Sequence, residues 1–171
     1  AIRRGLERAG PLTGRMERIP VDAPFPVFVD YAHTPDGLRS VLQALRRVTD
    51  RRLIVVFGAG GDRDQGKRGQ MGFSVGESAD IVVVTSDNPR SEDPAKIAEA
   101  VAEGVRAAGA EPLVVLDRRK AIASALDIAD ERAVVLVAGK GHEAYQTIGD
   151  NRIPFSDQDV VRAEMRRARC A

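Results

Sequence analysis

Apolar residues gather along this chain into five short continuous runs: Val27-Phe28-Val29, Leu53-Ile54-Val55-Val56-Phe57, Ile81-Val82-Val83-Val84, Leu113-Val114-Val115-Leu116 and Val134-Val135-Leu136-Val137. Runs without polar alternation suit strands of a parallel sheet covered on both faces. Between them the period changes to that of a helix, most clearly at Leu38, Val41, Leu42 and Leu45. Thr34 is placed to cap that helix, and Pro35 fits its first position. Asp93-Pro94 marks a second helix start ahead of Ile97, Val101 and Val105, and a third helix is expected from Arg118 to Ile128.

After Glu143 the pattern changes again. Tyr145 to Ile148 and Arg152 to Phe155, separated by Gly149-Asp150-Asn151, predict a hairpin. Ser156 or Asp157 then begins a last helix bearing Val160, Val161 and Met165. Alternating strands and helices require crossover connections, so the expected fold is α/β: a three-layer α/β/α, Rossmann-like domain with a mostly parallel sheet and a C-terminal hairpin.

Composition narrows this picture without changing it. The 171 residues are 43% hydrophobic, enough for one domain with a substantial core. Lys and Arg total 26 against 25 Asp and Glu, so no overall basic field points to nucleic acid or an anionic membrane. Anion binding must be local. The single cysteine, Cys170, excludes an internal disulfide and leans toward a reducing compartment. No apolar run approaches a membrane span, the start lacks a signal-peptide core, and a cytoplasmic location is the expectation. Residues Ala1 to Leu12 are basic and helical in character without an initiator methionine, as expected of a domain excised from a longer protein.

The candidate chemistry lies where the runs end. In an open parallel sheet ligands bind outside the carboxyl ends of the strands. Three such ends read Asp30-Tyr31-Ala32-His33-Thr34-Pro35, Asp87-Asn88-Pro89-Arg90 and Gly139-Lys140-Gly141-His142-Glu143. After the second run, Gly61-x4-Gly66-Lys67 imitates a nucleotide P-loop, but Arg68 stands where a magnesium-holding Ser or Thr is needed. Asp62 and Asp64 would also repel phosphate, so the P-loop reading is rejected. What remains is a flexible loop placing Arg63 near the strand ends.

Pro89 stiffens its turn so that Arg90 can project a guanidinium suited to a carboxylate. An Asx-turn leading into the next helix, or a surface pair between Arg90 and Glu92, explains the same residues. Gly139 and Gly141 allow close backbone approach to a ligand, with Glu143 as an ammonium acceptor, although a glycine turn in water is an equal alternative. Asp30 and His33 suit hydroxyl or phosphate contacts, and Tyr31 offers an aromatic face. With two histidines and one terminal cysteine, no metal site is expected, and no catalytic triad or carboxylate pair stands out.

Taken in order, Gly14-Arg15-Met16-Glu17, Asp30 to Asp36, Gly60 to Asp64 with Gly66-Lys67-Arg68, Asp87 to Arg90, and Ala138 to Glu143 with Tyr145-Gln146 resemble the C-terminal domain of the Mur ligases. The likeness covers nearly the whole chain. Those enzymes form amide bonds with ATP in building the peptidoglycan stem peptide. The Asp-Asn-Pro-Arg motif resembles that of members adding meso-2,6-diaminopimelate, whereas lysine-adding members lack its arginine.

The resemblance implies an amino-acid pocket of Arg63, Asp87, Asn88, Pro89, Arg90, Gly139 and Glu143, and an ATP-facing surface of Arg15, Asp30, Tyr31 and His33. It also implies ATP and magnesium held mainly by a central domain not present here, and a UDP-N-acetylmuramoyl-dipeptide substrate reached through other missing domains. Residues 1–171 would then form a single domain that holds no cofactor and does not catalyse alone. A stand-alone α/β binding module without turnover is the competing class, and lysine-adding or folate-type ligases are nearer rivals. One departure is local: Gly69-Gln70-Met71 follows Arg68 where relatives commonly have Pro-Leu-Met, which leaves the start of the next helix open.

Overall fold

A computed structural model describes residues 12–168; the basic stretch before Leu12 and Cys170 lie outside the described residues. Among the described residues, eight strands and five helices follow one another as β1 (Glu17–Arg18), β2 (Val27–Asp30), α1 (Pro35–Val48), β3 (Arg52–Phe57), α2 (Gly66–Gly76), β4 (Ile81–Val84), α3 (Pro94–Ala107), β5 (Leu113–Val114), α4 (Arg118–Ile128), β6 (Ala133–Ala138), β7 (Tyr145–Ile148), β8 (Asn151–Pro154) and α5 (Asp157–Ala168). The main sheet has the order β1-β2-β6-β3-β4-β5. Every neighbouring pair in it is parallel except the edge pair β1–β2.

Burial explains the apolar runs. In β3, Leu53, Val55 and Phe57 pack with Leu38, Val41, Leu42 and Leu45 of α1, Met71 and Val75 of α2 and Ile97 and Val101 of α3. Ile54 and Val56 point the other way, against Ala121, Ile122 and Leu126 of α4 and Val160 and Val161 of α5. Both pleat faces are therefore covered, which gives the expected three layers and leaves Arg52, exposed at its start, as the strand's one polar residue. No described helix is long and apolar enough to cross a membrane.

The caps follow their side chains. Thr34 accepts from the Gly37 amide and Asp93 from the Ala95 amide, with proline opening each helix. The last helix is capped by Ser156, whose Oγ accepts from the Asp159 amide at 3.2 Å, and this frees the Asp157 carboxylate for another use.

One expectation needs correction, and one strand went unanticipated. The run Leu113 to Leu116 gives only a two-residue strand, and Leu113, Val114 and Leu116 are partly exposed, because β5 is the sheet edge. The two-residue β1 carries no apolar run and gains its place by pairing Glu17 and Arg18 with Val29 and Phe28.

Candidate functional site

Four adjacent strands, β2, β6, β3 and β4, send their carboxyl-end loops to one side of the sheet. There they enclose a cleft of about 490 Å³. Its walls include Arg63, Asp87, Asn88, Arg90, Gly139 and Glu143, together with Tyr31, His33, Arg68 and Tyr145. The sequence-predicted pocket is thus brought together apart from Pro89, which is buried behind it.

Arg90 is held more firmly than proline alone would achieve. Its φ of 52° is left-handed, a costly conformation for a residue with a side chain. Hydrogen bonds to the hairpin secure it: the Arg90 amide donates to Thr147 O at 3.1 Å, and Arg90 O accepts from the Gly149 amide at 2.7 Å. The Asn88 Oδ1 accepts from the Thr147 amide at 2.9 Å, and Gln146 Nε2 donates to Asp87 O at 2.6 Å. β7 therefore docks beside the Asp-Asn-Pro-Arg turn as a short extra strand. The guanidinium is steadied through Nη1, which donates to Gly61 O at 2.6 Å.

The alternative surface pair between Arg90 and Glu92 does not form. Glu92 instead accepts from buried Arg68 at 2.7 Å and from the Asp62 amide at 2.6 Å, while Asp62 Oδ1 accepts from Ser91 Oγ at 2.6 Å. These bonds clamp the loop after β3 to the loop after β4, so that loop is tied down rather than flexible. Gly61 is needed here because a Cβ would overlap the Pro89 carbonyl oxygen. Gly66 opens α2, and the Asp64 carboxylate accepts from its amide at 3.0 Å, so an acid stands at this helix start. No side chain of Gln65 caps α2, and the missing proline motif does not prevent the helix.

Beneath the cleft lies a set of buried charges that the sequence reading did not identify. Arg118 and Asp157 are wholly buried and meet through two hydrogen bonds, Nε to Oδ1 at 2.8 Å and Nη2 to Oδ2 at 2.7 Å. Arg118 also donates to Ala138 O at 3.0 Å and, at 3.5 Å, to Ser86 O, joining the ends of β6 and β4. Buried Lys140 donates to Asn88 Oδ1 at 3.1 Å and Glu143 Oε2 at 3.2 Å, and lies 3.7 Å from Asp87 Oδ1. Asn88 Nδ2 completes the set by donating to Glu143 Oε2 at 3.0 Å.

The two carboxylates of the cleft differ in character. Burial pushes the Asp87 carboxyl above its ordinary range, against the opposing pull of Arg118 and Lys140. Burial also acts upward on Glu143, but the Asn88 hydrogen bond and the Lys140 charge outweigh it and hold this carboxyl below the usual range. Gly139, with φ 115°, lies so close to Asp87 that a Cβ would come within 2.7 Å of Oδ2. That approach keeps the strand end and the acid in contact.

The second predicted group is arranged around Tyr31. Its ring meets His33 edge-on at 4.6 Å and His142 at 5.0 Å, and the Arg15 guanidinium lies 5.2 Å from its centroid. Asp30 does not line the cleft. Its oxygens accept from the Met16 amide at 2.7 Å and the Ala32 amide at 2.8 Å, fixing the backbone on which Arg15 and Tyr31 sit. Among the described residues no cluster of three or more His, Cys, Asp or Glu is suited to a metal ion.

This chain matches the family model described as Mur ligase, glutamate ligase domain, over residues 14–141. It is 48% identical over 149 residues to the UDP-N-acetylmuramoyl-L-alanyl-D-glutamate--2,6-diaminopimelate ligase of Caldanaerobacter subterraneus subsp. tengcongensis, covering 87% of this chain and 31% of that protein. The ligase of the same name from Gloeobacter violaceus is 48% identical over 170 residues, covering 99% of this chain and 35% of the relative. A solved structure of a ligase of this name superposes with a TM-score of 0.85 at 41% identity, over 95% of this chain and 33% of the other. The chain spans about a third of the length of the relatives it matches. A family match across both walls of the cleft, from the Gly14 turn to Gly141, makes this chain a member of the Mur ligase family.

Proposed function

We propose that this chain is the amino-acid-binding domain of a longer ATP-dependent ligase that joins meso-2,6-diaminopimelate to UDP-N-acetylmuramoyl-L-alanyl-D-glutamate in peptidoglycan synthesis. The observation that carries this reading is the charge pattern of one cleft, where Arg63 and Arg90 are lined up with Asp87 and Glu143. Diaminopimelate bears a carboxylate and an ammonium group at each end. Arg90 receives the carboxylate at the far end, Asp87 and Glu143 the ammonium beside it, and Arg63 the carboxylate next to the reacting amine. Gly139 permits the approach. Lysine lacks the far carboxylate, so binding it would leave a positioned guanidinium without a partner, and such an unpaired site discriminates strongly.

In the reaction the D-glutamate γ-carboxylate attacks the terminal phosphorus of ATP, giving an acyl phosphate and ADP. The free amine of diaminopimelate then attacks the acyl carbon, phosphate leaves with the bonding pair, and the nitrogen loses a proton as the amide forms. This chain contributes position, holding the amine where the activated carbonyl arrives. Tyr31, backed by Arg15 and His33 and supported by Asp30, offers the π face and charge that suit a nucleotide. ATP and magnesium are held mainly by parts of the ligase outside this chain, which alone does not catalyse. The reaction belongs in the cytoplasm, with no nucleic acid or membrane as partner.

The test is ATP-dependent ligation by the complete ligase, with diaminopimelate and lysine offered separately. Strong preference for diaminopimelate is expected. Equal use of both, or no use of diaminopimelate, overturns the reading.

A further inference from the structure

Lys140 is a wholly buried cation to which the amino-acid reading assigns no role, and its surroundings have the form of an ammonium receptor. Glycines on both sides, with φ of 115° at Gly139 and 52° at Gly141, turn the backbone so that the side chain points back under the cleft. There Nζ meets Asn88 Oδ1, Glu143 Oε2 and Asp87 Oδ1 at 3.1, 3.2 and 3.7 Å, and lies 5.6 Å from the centre of the Tyr145 ring. A buried ammonium is tolerated only with such compensation.

The charges around it can be followed group by group. Asp87 and Glu143 bring two negative charges to the cleft floor, and Lys140 cancels one. Arg118 of α4 and Asp157 of α5, directly behind, neutralise each other. Tyr31 and Tyr145 bring aromatic rings to the same cleft, which exposed His33 also lines. Apart from Arg63 and Arg90, which line the same cleft and face the ligand's carboxylates in the reading above, the floor is thus short of one positive charge. Without Lys140 two close carboxylates would compete, and one would take a proton in place of a ligand ammonium.

Lys140 also orients an amide. Because Asn88 Oδ1 accepts from both Lys140 Nζ and the Thr147 amide, Nδ2 is directed to Glu143. A reversed amide would set donors against donors.

We propose that Lys140 is a positioning residue, whose ammonium orients Asn88 and Glu143 and sets the charge of the cleft so that it accepts one ligand ammonium group. This rests on the amino-acid-binding reading above. Lys140 touches no reacting atom in that scheme and acts through the groups that do.

The experiment compares the complete ligase with its Lys140→Met and Lys140→Arg variants, following kcat and KM for diaminopimelate and for ATP across pH. Lys140→Met is expected to raise the KM for diaminopimelate about tenfold, as for losing a charge-assisted contact, with the KM for ATP unchanged. The acid limb of kcat/KM for diaminopimelate should move to higher pH. Lys140→Arg keeps the charge, so its acid limb should stay at the wild-type position even if its KM rises. An unmoved acid limb in Lys140→Met, or equal rises in both KM values, overturns the proposal.

Should neither variant fold, nitrogen-15 labelling of lysines in the unmodified protein decides. A slowly exchanging buried Nζ signal that shifts on adding diaminopimelate supports the proposal, and one that ignores it overturns it. If the unmodified ligase does not use diaminopimelate at all, the failure belongs to the proposed function and not to Lys140.

Discussion

Replacing Arg118 with methionine removes a guanidinium that joins the ends of β4, β6, α4 and α5 beneath the cleft. The substitution leaves Asp157 with no side-chain exposure and no cation, and strips donors from Ala138 O and Ser86 O. Breaking a buried pair from one side costs about 3–5 kcal/mol. In a domain of this size each kcal/mol lowers Tm by roughly 2–4 °C, so the expected fall is on the order of 6–20 °C. Calorimetry and urea unfolding of the chain measure this directly. Because the cost arises from the stranded carboxylate and not from the pair's own worth, Arg118→Met with Asp157→Leu should recover much of the loss. A single variant within about 1 kcal/mol of wild type, or a double variant no better than the single, would refute the reasoning.

In the complete ligase, Arg90→Ala should raise the KM for diaminopimelate on the order of tenfold or more and reduce selectivity over lysine, and steady-state kinetics with both amino acids checks it. Asp87→Asn should weaken diaminopimelate use yet make the isolated chain more stable at neutral pH, because burial raises this carboxyl above its ordinary value of 3.8 and its ionisation opposes folding. That gain should be full above the raised value and fade as pH falls toward and below 3.8, which thermal melts across pH would reveal. Gly139→Ala, forced into a left-handed backbone with its Cβ near Asp87, should destabilise the chain by about 1–3 kcal/mol. It should also impair diaminopimelate use, as unfolding curves and ligation rates would show.

Strand cores and helix starts were legible in the sequence because they depend on neighbours in the chain. Thr34-Pro35 and Asp93-Pro94 carry their capping chemistry within a few residues. Apolar runs announce burial on both faces for β3, β4 and β6, but the same signal misled at Leu113 to Leu116, since hydropathy does not say which strand will be the sheet edge.

The cleft residues could be gathered because each sits at a strand end. What holds them could not. Arg118 finds Asp157 from 39 residues away, and nothing in the local pattern around either one sets it apart from a surface charge. Lys140 between two glycines was a weaker clue, since a buried cation follows only when Asn88 and Glu143 are known to surround it. Arg90 illustrates the same point: Pro89 was visible beside it, but its anchoring by the hairpin depends on Thr147 and Gly149.

The central place of β6 bears on how the molecule is made. It lies between β2 and β3, pairing Val27 with Val135 and Leu53 with Val134, although it is the last strand of the sheet to be synthesised. As the polypeptide emerges from the ribosome, its two earlier partners must wait with sticky edges uncovered until more than a hundred residues have followed the first of them. Such distant pairing slows folding and exposes aggregation-prone intermediates. Nascent chains stalled before Ala133 should therefore be the ones that chaperones hold longest.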